Sequence, residues 1–185
     1  SDVTNPGTPP PAPLDESPPL RWQSLLERPP TELYWPHGEG LSTWSYDNGL
    51  EQISAHCQRD GLLQLGKTQA SDYRIQIGLH QTRWEGGVGL FLGVHQGKYR
   101  GRACQVYQTI ELRRYPIDDG KPPVALWRTL VHDYTNEHGR RETPSKSTSS
   151  ARVEMPHGEQ TLELTVRDGD LTEVRWGGLP VEGLA

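Results

Sequence analysis

The sequence is poor in the residues from which most cores and reactive centres are built. Its 185 residues include two cysteines, one methionine and one phenylalanine, and only 32% are hydrophobic. Two distant cysteines do not make a zinc motif, whose ligands come in closely spaced pairs. Cys57 and Cys104 either join as one disulfide or stay as thiols, depending on a Cα separation of about 4.4–6.8 Å that sequence leaves open. No apolar run approaches the ~20 residues of a membrane helix. No heptad pattern persists, which excludes a coiled coil. Gly-x-Ser-x-Gly is absent, and Gly86-Gly-Val-Gly89 lacks the following helix of a nucleotide loop. Seven histidines are scattered without a His-x-x-x-His pair. Positive charge is also short: the net charge is −5, which gives no electrostatic case for a nucleic-acid partner. The sequence starts with Ser and contains no charged-then-apolar targeting segment, as expected of a fragment or a processed product.

What is abundant is unevenly placed. Of the 16 prolines, ten fall before residue 37, whereas nineteen of the 20 glycines fall after it. Residues 1–20 (SDVTNPGTPPPAPLDESPPL) predict an extended, disordered or polyproline-like tether to other domains. Residues 21–31 predict a single helical turn ended by Pro29 and Pro30. The expected organisation is a Pro-rich linker over 1–32 and one folded domain over 33–185. The net charge is local: Glu154 to Ala185 holds seven acidic and two basic residues, whereas Lys98 to Arg114 holds five basic and one acidic. The basic stretch reads as a solvated strand face.

From Leu33 onward, short strand-like segments alternate with turn residues. They predict strands at 41–46, 50–57, 61–66, 72–80, 87–95, 103–115, 124–135, 151–155, 160–167 and 171–176, an all-β antiparallel sandwich or barrel. Tyr73, Ile75, Ile77 and Leu79 share one face; Val88, Leu90, Leu92 and Val94 share another, opposite Gly89, Phe91, Gly93 and His95. Leu162, Leu164 and Val166 repeat the pattern, and such period-2 alternation marks half-buried strands. Asp168-Gly169 between two strands is a hairpin signal. Residues 137–150, polar and without period, predict a mobile loop.

The run Asp72 to His80 followed by Trp84 to Val94, and the closing run Glu159 to Val181, resemble concanavalin A-like (laminin G-like) lectin/glucanase domains. The resemblance covers roughly 33–183 and implies a jelly-roll β-sandwich. In that family a further strand usually follows the late hairpin, so the expectation here is either a chain cut short or a missing edge strand. The resemblance also makes calcium conceivable, with Asp118, Asp119, Asp168 and Asp170 as oxygen donors, although no cofactor is expected. Glycosidases of this fold carry Glu-x-Asp-x-x-Glu on one strand, and no such run occurs. No catalytic residue is therefore assigned.

Carbohydrate recognition fits better. Sugars are held by aromatic faces beside planar polar groups. Gln105, Tyr107, Thr109, Glu111 and Arg113 share one face of 103–113. Gln76 and His80, and Phe91 and His95, belong to the solvent faces of their strands, and Trp84 stands at a loop. The expected ligand-binding set is Gln76, His80, Trp84, Phe91, His95, Gln105, Tyr107, Glu111 and Arg113. The expected function is a non-catalytic ligand-binding module, for glycan, within a larger surface or signalling protein. One alternative is a glycoside hydrolase-like enzyme. The other is an extracytoplasmic sensor or protein-interaction domain of a membrane-anchored protein such as a receptor-like Ser/Thr kinase. An extracytoplasmic or cell-surface location accompanies these readings.

Overall fold

The computed structural model describes residues 21–36, 42–81, 86–114, 124–154 and 158–185. Among these no residue is helical, and every strand pairing is antiparallel. The chain divides into two compact units, Ser1–Thr68 and Gln69–Ala185. Residues 33–68, expected as part of the sandwich domain, thus belong to the first unit. Residues 1–20 of the expected tether lie outside the described residues.

In the first unit, β1 (Thr31–Tyr34) pairs with β4 (Leu62–Gln64), and β2 (Ser42–Asp47) pairs with β3 (Gln52–Cys57). The β2–β3 turn is nucleated by Asp47, whose Oδ1 accepts from the amides of Gly49 (2.8 Å) and Leu50 (3.1 Å). Residues 21–30 do not form the expected helical turn. Instead their polar groups bond to the β2–β3 hairpin: the Tyr46 hydroxyl donates to the Leu26 carbonyl, and Ser24 Oγ donates to Glu51 Oε2 at 2.6 Å. These long-range bonds, together with paired prolines, outweigh a single turn's weak helical preference. Trp35 is buried with its ring over Gly61, where a Cβ would lie 2.3 Å from ring carbons.

The second unit is a β-sandwich. Its larger sheet runs β10–β8–β7–β6, from β6 (Gly87–Tyr99), β7 (Arg102–Arg114), β8 (Val124–Thr135) and β10 (Ser145–Val153); the two-residue β9 (Arg141–Glu142) adds to β8. Its smaller sheet runs β13–β12–β11–β5, from β5 (Tyr73–Leu79), β11 (Gln160–Arg167), β12 (Asp170–Trp176) and β13 (Leu179–Pro180). One core joins the two: Leu90, Leu92, Ile110, Leu112, Val124 and Leu126 from the larger sheet meet Leu79, Leu162, Leu164, Val166, Val174 and Trp176 from the smaller. The alternation along β5 and β11 puts these side chains inward, because successive residues face opposite sides of a strand. Two hairpins close on two-residue turns, Arg100-Gly101 (φ +50° and +80°) and Asp168-Gly169 (φ +50° and +82°). Two successive left-handed residues give the twist that hairpin strands need. Asp72 supports the second turn by accepting the Asp168 amide at 2.7 Å.

Residues 137–150 correct the expectation of a mobile loop. They contain β9 and most of β10, which pairs with β8 from Ser145 to Val153. Only Ala151 and Val153 of β10 pack against the core, so most of the strand is held by backbone pairing rather than by apolar alternation. Cys57 and Cys104 are free thiols, the first exposed and the second buried.

Candidate functional site

The larger sheet's outer face brings most of the expected site together. Directly opposed residues of antiparallel strands share a face, so the pairings can be read as rows. One row is Gly87, Arg113, Ala125 and Arg152; the next is Gly89, Glu111, Trp127 and Ser150; the next is Phe91, Thr109, Thr129 and Ser147. Beyond them come Tyr107 with Val131 and Ser145, then Gln96 with Gln105 and Asp133. On this face β6 contributes Gly87, Gly89 and Phe91, β10 contributes Ser145, Ser147, Ser150 and Arg152, and Tyr107 and Trp127 stand on the strands between. Tyr107, Thr109, Ala125, Thr129 and Val131 on this face are buried, whereas Phe91, Glu111, Arg113 and Trp127 are half-buried.

Phe91 packs edge-on against Tyr107, with ring centroids 5.8 Å apart and planes at 64°, the arrangement ring quadrupoles favour. Tyr107 is only 5% exposed, so it supports Phe91 rather than presenting a ring to solvent. Trp127 is half-buried and directly opposes Glu111. Glu111 accepts from Arg113 Nε at 2.6 Å, with Arg113 Nη2 at 2.5 Å, so the pair forms a two-pronged bridge between alternate residues of β7. Gly89 is required under this pair: a Cβ there would meet the Ile110 carbonyl oxygen at 1.9 Å. Thr109 and Thr129 are 6% and 2% exposed, and their hydroxyls have no partner among the described residues. Asp133 is held by Arg141, which donates to both of its oxygens.

Gln76 and His80 lie elsewhere, with β5 of the smaller sheet; both are exposed. Gln76 opposes Glu163 on an outer face crossed by ion pairs, Arg74–Glu163 at 3.0 Å and Arg175–Glu173 at 3.4 Å. That face has the character of a solvated surface.

His95 corrects its assignment to the Phe91 face. Phe91 opposes Thr109, but a bulge shifts the register between Leu92 and His95, and His95 opposes Val106. Gly93 opens the bulge at φ +70°, and its carbonyl contacts His95 Nδ1 at 2.8 Å. One extra residue reverses the facing of everything after it, so His95 points to the inner side. There, Tyr99 lies against His132 (4.9 Å between centroids) and Tyr134 (6.2 Å).

Trp84, Asp118 and Asp119 lie outside the described residues. Asp168 forms its turn and Asp170 opens β12. Among the described residues no three candidate ligands come close enough to hold a metal ion, and no helix is long and apolar enough to cross a membrane. Trp127 is the site residue that the sequence reading missed. Its signal was present: Ala125, Trp127, Thr129 and Val131 alternate against Val124 and Leu126, placing an indole on the face away from the core. Comparison with protein-family models, curated proteins and solved structures returned no match.

Proposed function

We propose that the sandwich is a non-catalytic carbohydrate-binding module of the concanavalin A-like, jelly-roll kind, and that the larger sheet's outer face is its binding surface. The observation that carries this reading is the half-buried Phe91 and Trp127 beside the Glu111–Arg113 bridge on one face of the sheet. The half-buried rings of Phe91 and Trp127 suit the C–H face of a sugar, and the bridge and exposed Gln105 suit its hydroxyls. Support also comes from the motif runs behind the family resemblance, which fall on β5, β6, β11 and β12.

A glycosidase at this face is disfavoured by spacing. Among the described strand residues its carboxylates are Glu111 and Asp133, the latter level with Gln105. Six residues of strand separate them, about 20 Å at ~3.3 Å per residue, whereas hydrolytic pairs stand about 5–9.5 Å apart. Both are also bound to arginines.

The test is a glycan array followed by calorimetry on the best binder. Phe91→Ala and Trp127→Ala should each weaken binding about tenfold, the equivalent of ~1.4 kcal/mol of lost stacking, with the fold retained. Gln76→Ala on the smaller sheet should leave binding unchanged. An array without signal, or a binder indifferent to both aromatic changes, would sink the proposal.

A further inference from the structure

Past the residues that meet the smaller sheet, the larger sheet continues toward the Arg100-Gly101 turn. Its inner face there carries rings and charges around a small apolar floor. β6 presents His95, Gly97 and Tyr99, opposite Val106, Cys104 and Arg102 of β7, and His132 opposes Val106 from β8. Tyr134, two residues on, shares the face of His132, and Glu142 of β9 opposes it. Cys104 and Val106 are only 4% and 8% exposed, although Gly97 beside them has no side chain. Tyr99 crosses β7 above this floor, because its ring lies against His132 and Tyr134 of β8. Gly97 keeps the floor low, since a Cβ there would stand 2.6 Å from Val106 Cγ2. The three rings are half-buried, so part of each is open to a ligand, and His95, Arg102 and Glu142 around them are exposed.

This end of the sheet is charged against the trend of the chain. Residues 95–105 and 132–146 hold six basic and three acidic side chains, whereas the whole sequence is at −5. Asp133 is engaged by Arg141, and Glu142 accepts from the Tyr134 hydroxyl and Asn136. Glu137 meets Arg102 at 3.7 Å, longer than a hydrogen bond, and both side chains are exposed. Arg102 thus keeps guanidinium donors for a ligand. Arg100 Cζ lies 5.3 Å from the centre of the Tyr99 ring, a cation–π contact that adds a second positive group at the margin. Clustered charge of one sign raises the local concentration of its counter-ions.

We propose that this end of the inner face binds an acidic polysaccharide of the uronate type, with a pyranose C–H face on the tyrosine rings and a uronate carboxylate on Arg102. The fork of a guanidinium matches a carboxylate's two oxygens. β7 lies between β6 and β8, so its backbone is paired and this face offers side chains. An acidic peptide strand, which binds through main-chain bonds at an open sheet edge, gains little from such a surface. A sugar chain carries a C–H face and hydroxyls on every ring, and these suit rings beside planar polar groups. The surface is separate from the outer face at Phe91 and Trp127, and the proposal stands whether or not that face binds glycan.

The test is calorimetry of the full chain with trigalacturonate, its trimethyl ester and hexaglutamate. Trigalacturonate should bind with a Kd of about 0.1–1 mM, and the ester and the peptide at least about tenfold more weakly. Raising NaCl from about 50 to 300 mM should weaken the acid about threefold or more. Tyr99→Ala should weaken it about tenfold. Arg102→Gln, at an exposed side chain, should weaken it about fivefold or more and carries the test if Tyr99→Ala fails to fold. Arg167→Gln, which removes the same charge from the exposed end of β11, should leave binding unchanged. No binding of trigalacturonate, or equal binding of acid and ester, would overturn the proposal. So would hexaglutamate binding as tightly, which would make the ligand an acidic peptide. Equal losses from Arg102→Gln and Arg167→Gln would reduce the effect to diffuse charge, and binding kept in Tyr99→Ala but lost in Phe91→Ala would move it to the outer face; either result refutes the assignment.

Discussion

Leu184 belongs to no strand, yet its side chain is fully buried in the sandwich core. Residues outside regular structure are usually the tolerant ones, so Leu184→Ala is a sharp test of the core as described. Truncating a buried leucine costs about 2–5 kcal/mol, from lost transfer energy plus the cavity left behind. At the middle of that range, ~3 kcal/mol, a unit of this size should melt about 10–15 °C lower. Differential scanning calorimetry reads the shift directly. Leu179→Ala is the control, the same truncation at a side chain 70% exposed on β13, and should stay within about 0.5 kcal/mol. If the two truncations cost the same, Leu184 does not close the core. Arg128 adds a second handle, because its bond to the Leu184 carbonyl seats the segment. Arg128→Met and Leu184→Ala should then be non-additive by at least about 0.5 kcal/mol in a double-mutant cycle; strict additivity would detach the bond from the seating of Leu184.

Gly89→Ala should cost about 3 kcal/mol or more, because its Cβ would meet the Ile110 carbonyl oxygen at 1.9 Å and Glu111 Cα at 2.7 Å, both backbone. Gly86→Ala, with nothing within 4 Å, should be silent in the same denaturant titration. Thr129→Val should leave stability unchanged or raise it, since it replaces a buried, unpartnered hydroxyl with a methyl; a clear loss would mean that the hydroxyl is satisfied after all. Glu142 accepts from the Tyr134 hydroxyl and from Asn136 Nδ2 (2.7 Å), and these bonds, Tyr134's first, hold its carboxyl below the ordinary range. A depressed carboxylate contributes stability that is present above its unfolded value and lost as pH falls through the folded one. Tyr134→Phe should therefore move the Glu142 midpoint upward in an NMR titration and soften that acid-side loss; an unmoved midpoint refutes the assignment.

Where burial imposes alternation, the strands were legible. Tyr73 to Leu79 and Leu162 to Val166 carry it in full, and Asp168-Gly169 marks its own turn. Strand β10 was illegible for a physical reason: an edge strand of serine, threonine and lysine is held by the backbone of β8, and backbone pairing leaves no hydrophobic period. The candidate site was legible along β7, because Gln105, Tyr107, Glu111 and Arg113 are fixed to one face by parity alone. His95 was misplaced because parity fails across the Gly93–Val94 bulge, and nothing local distinguishes that glycine from Gly89, which stays in register. Gln108 and Arg128 broke the inward apolar series, but only the pairing of β7 with β8 shows that the two breaks are neighbours.

Unequal strand lengths explain why one sheet carries three different surfaces on its inner side. β6, β7 and β8 are 13, 13 and 12 residues long, whereas β5, β11 and β12 are 7, 8 and 7. At about 3.3 Å per residue, the larger sheet outruns the smaller by roughly 15–20 Å. Where the smaller sheet covers it, the inner face is aliphatic, through Leu90, Leu92, Ile110, Leu112, Val124 and Leu126. Next along β7 and β8 come Gln108 and Arg128, polar groups that a closed core would exclude, with Leu184 at the same boundary. Farther on, toward the Arg100-Gly101 turn, the inward residues are the buried Val106 and Cys104 with His95, Tyr99, His132 and Tyr134 beside them, side chains with an apolar body and a polar tip. Aliphatic substitution at Gln108 would join Ile110 to Val106 in one apolar series, whereas the same substitution at Tyr99 would only remove ring contacts to His132 and Tyr134.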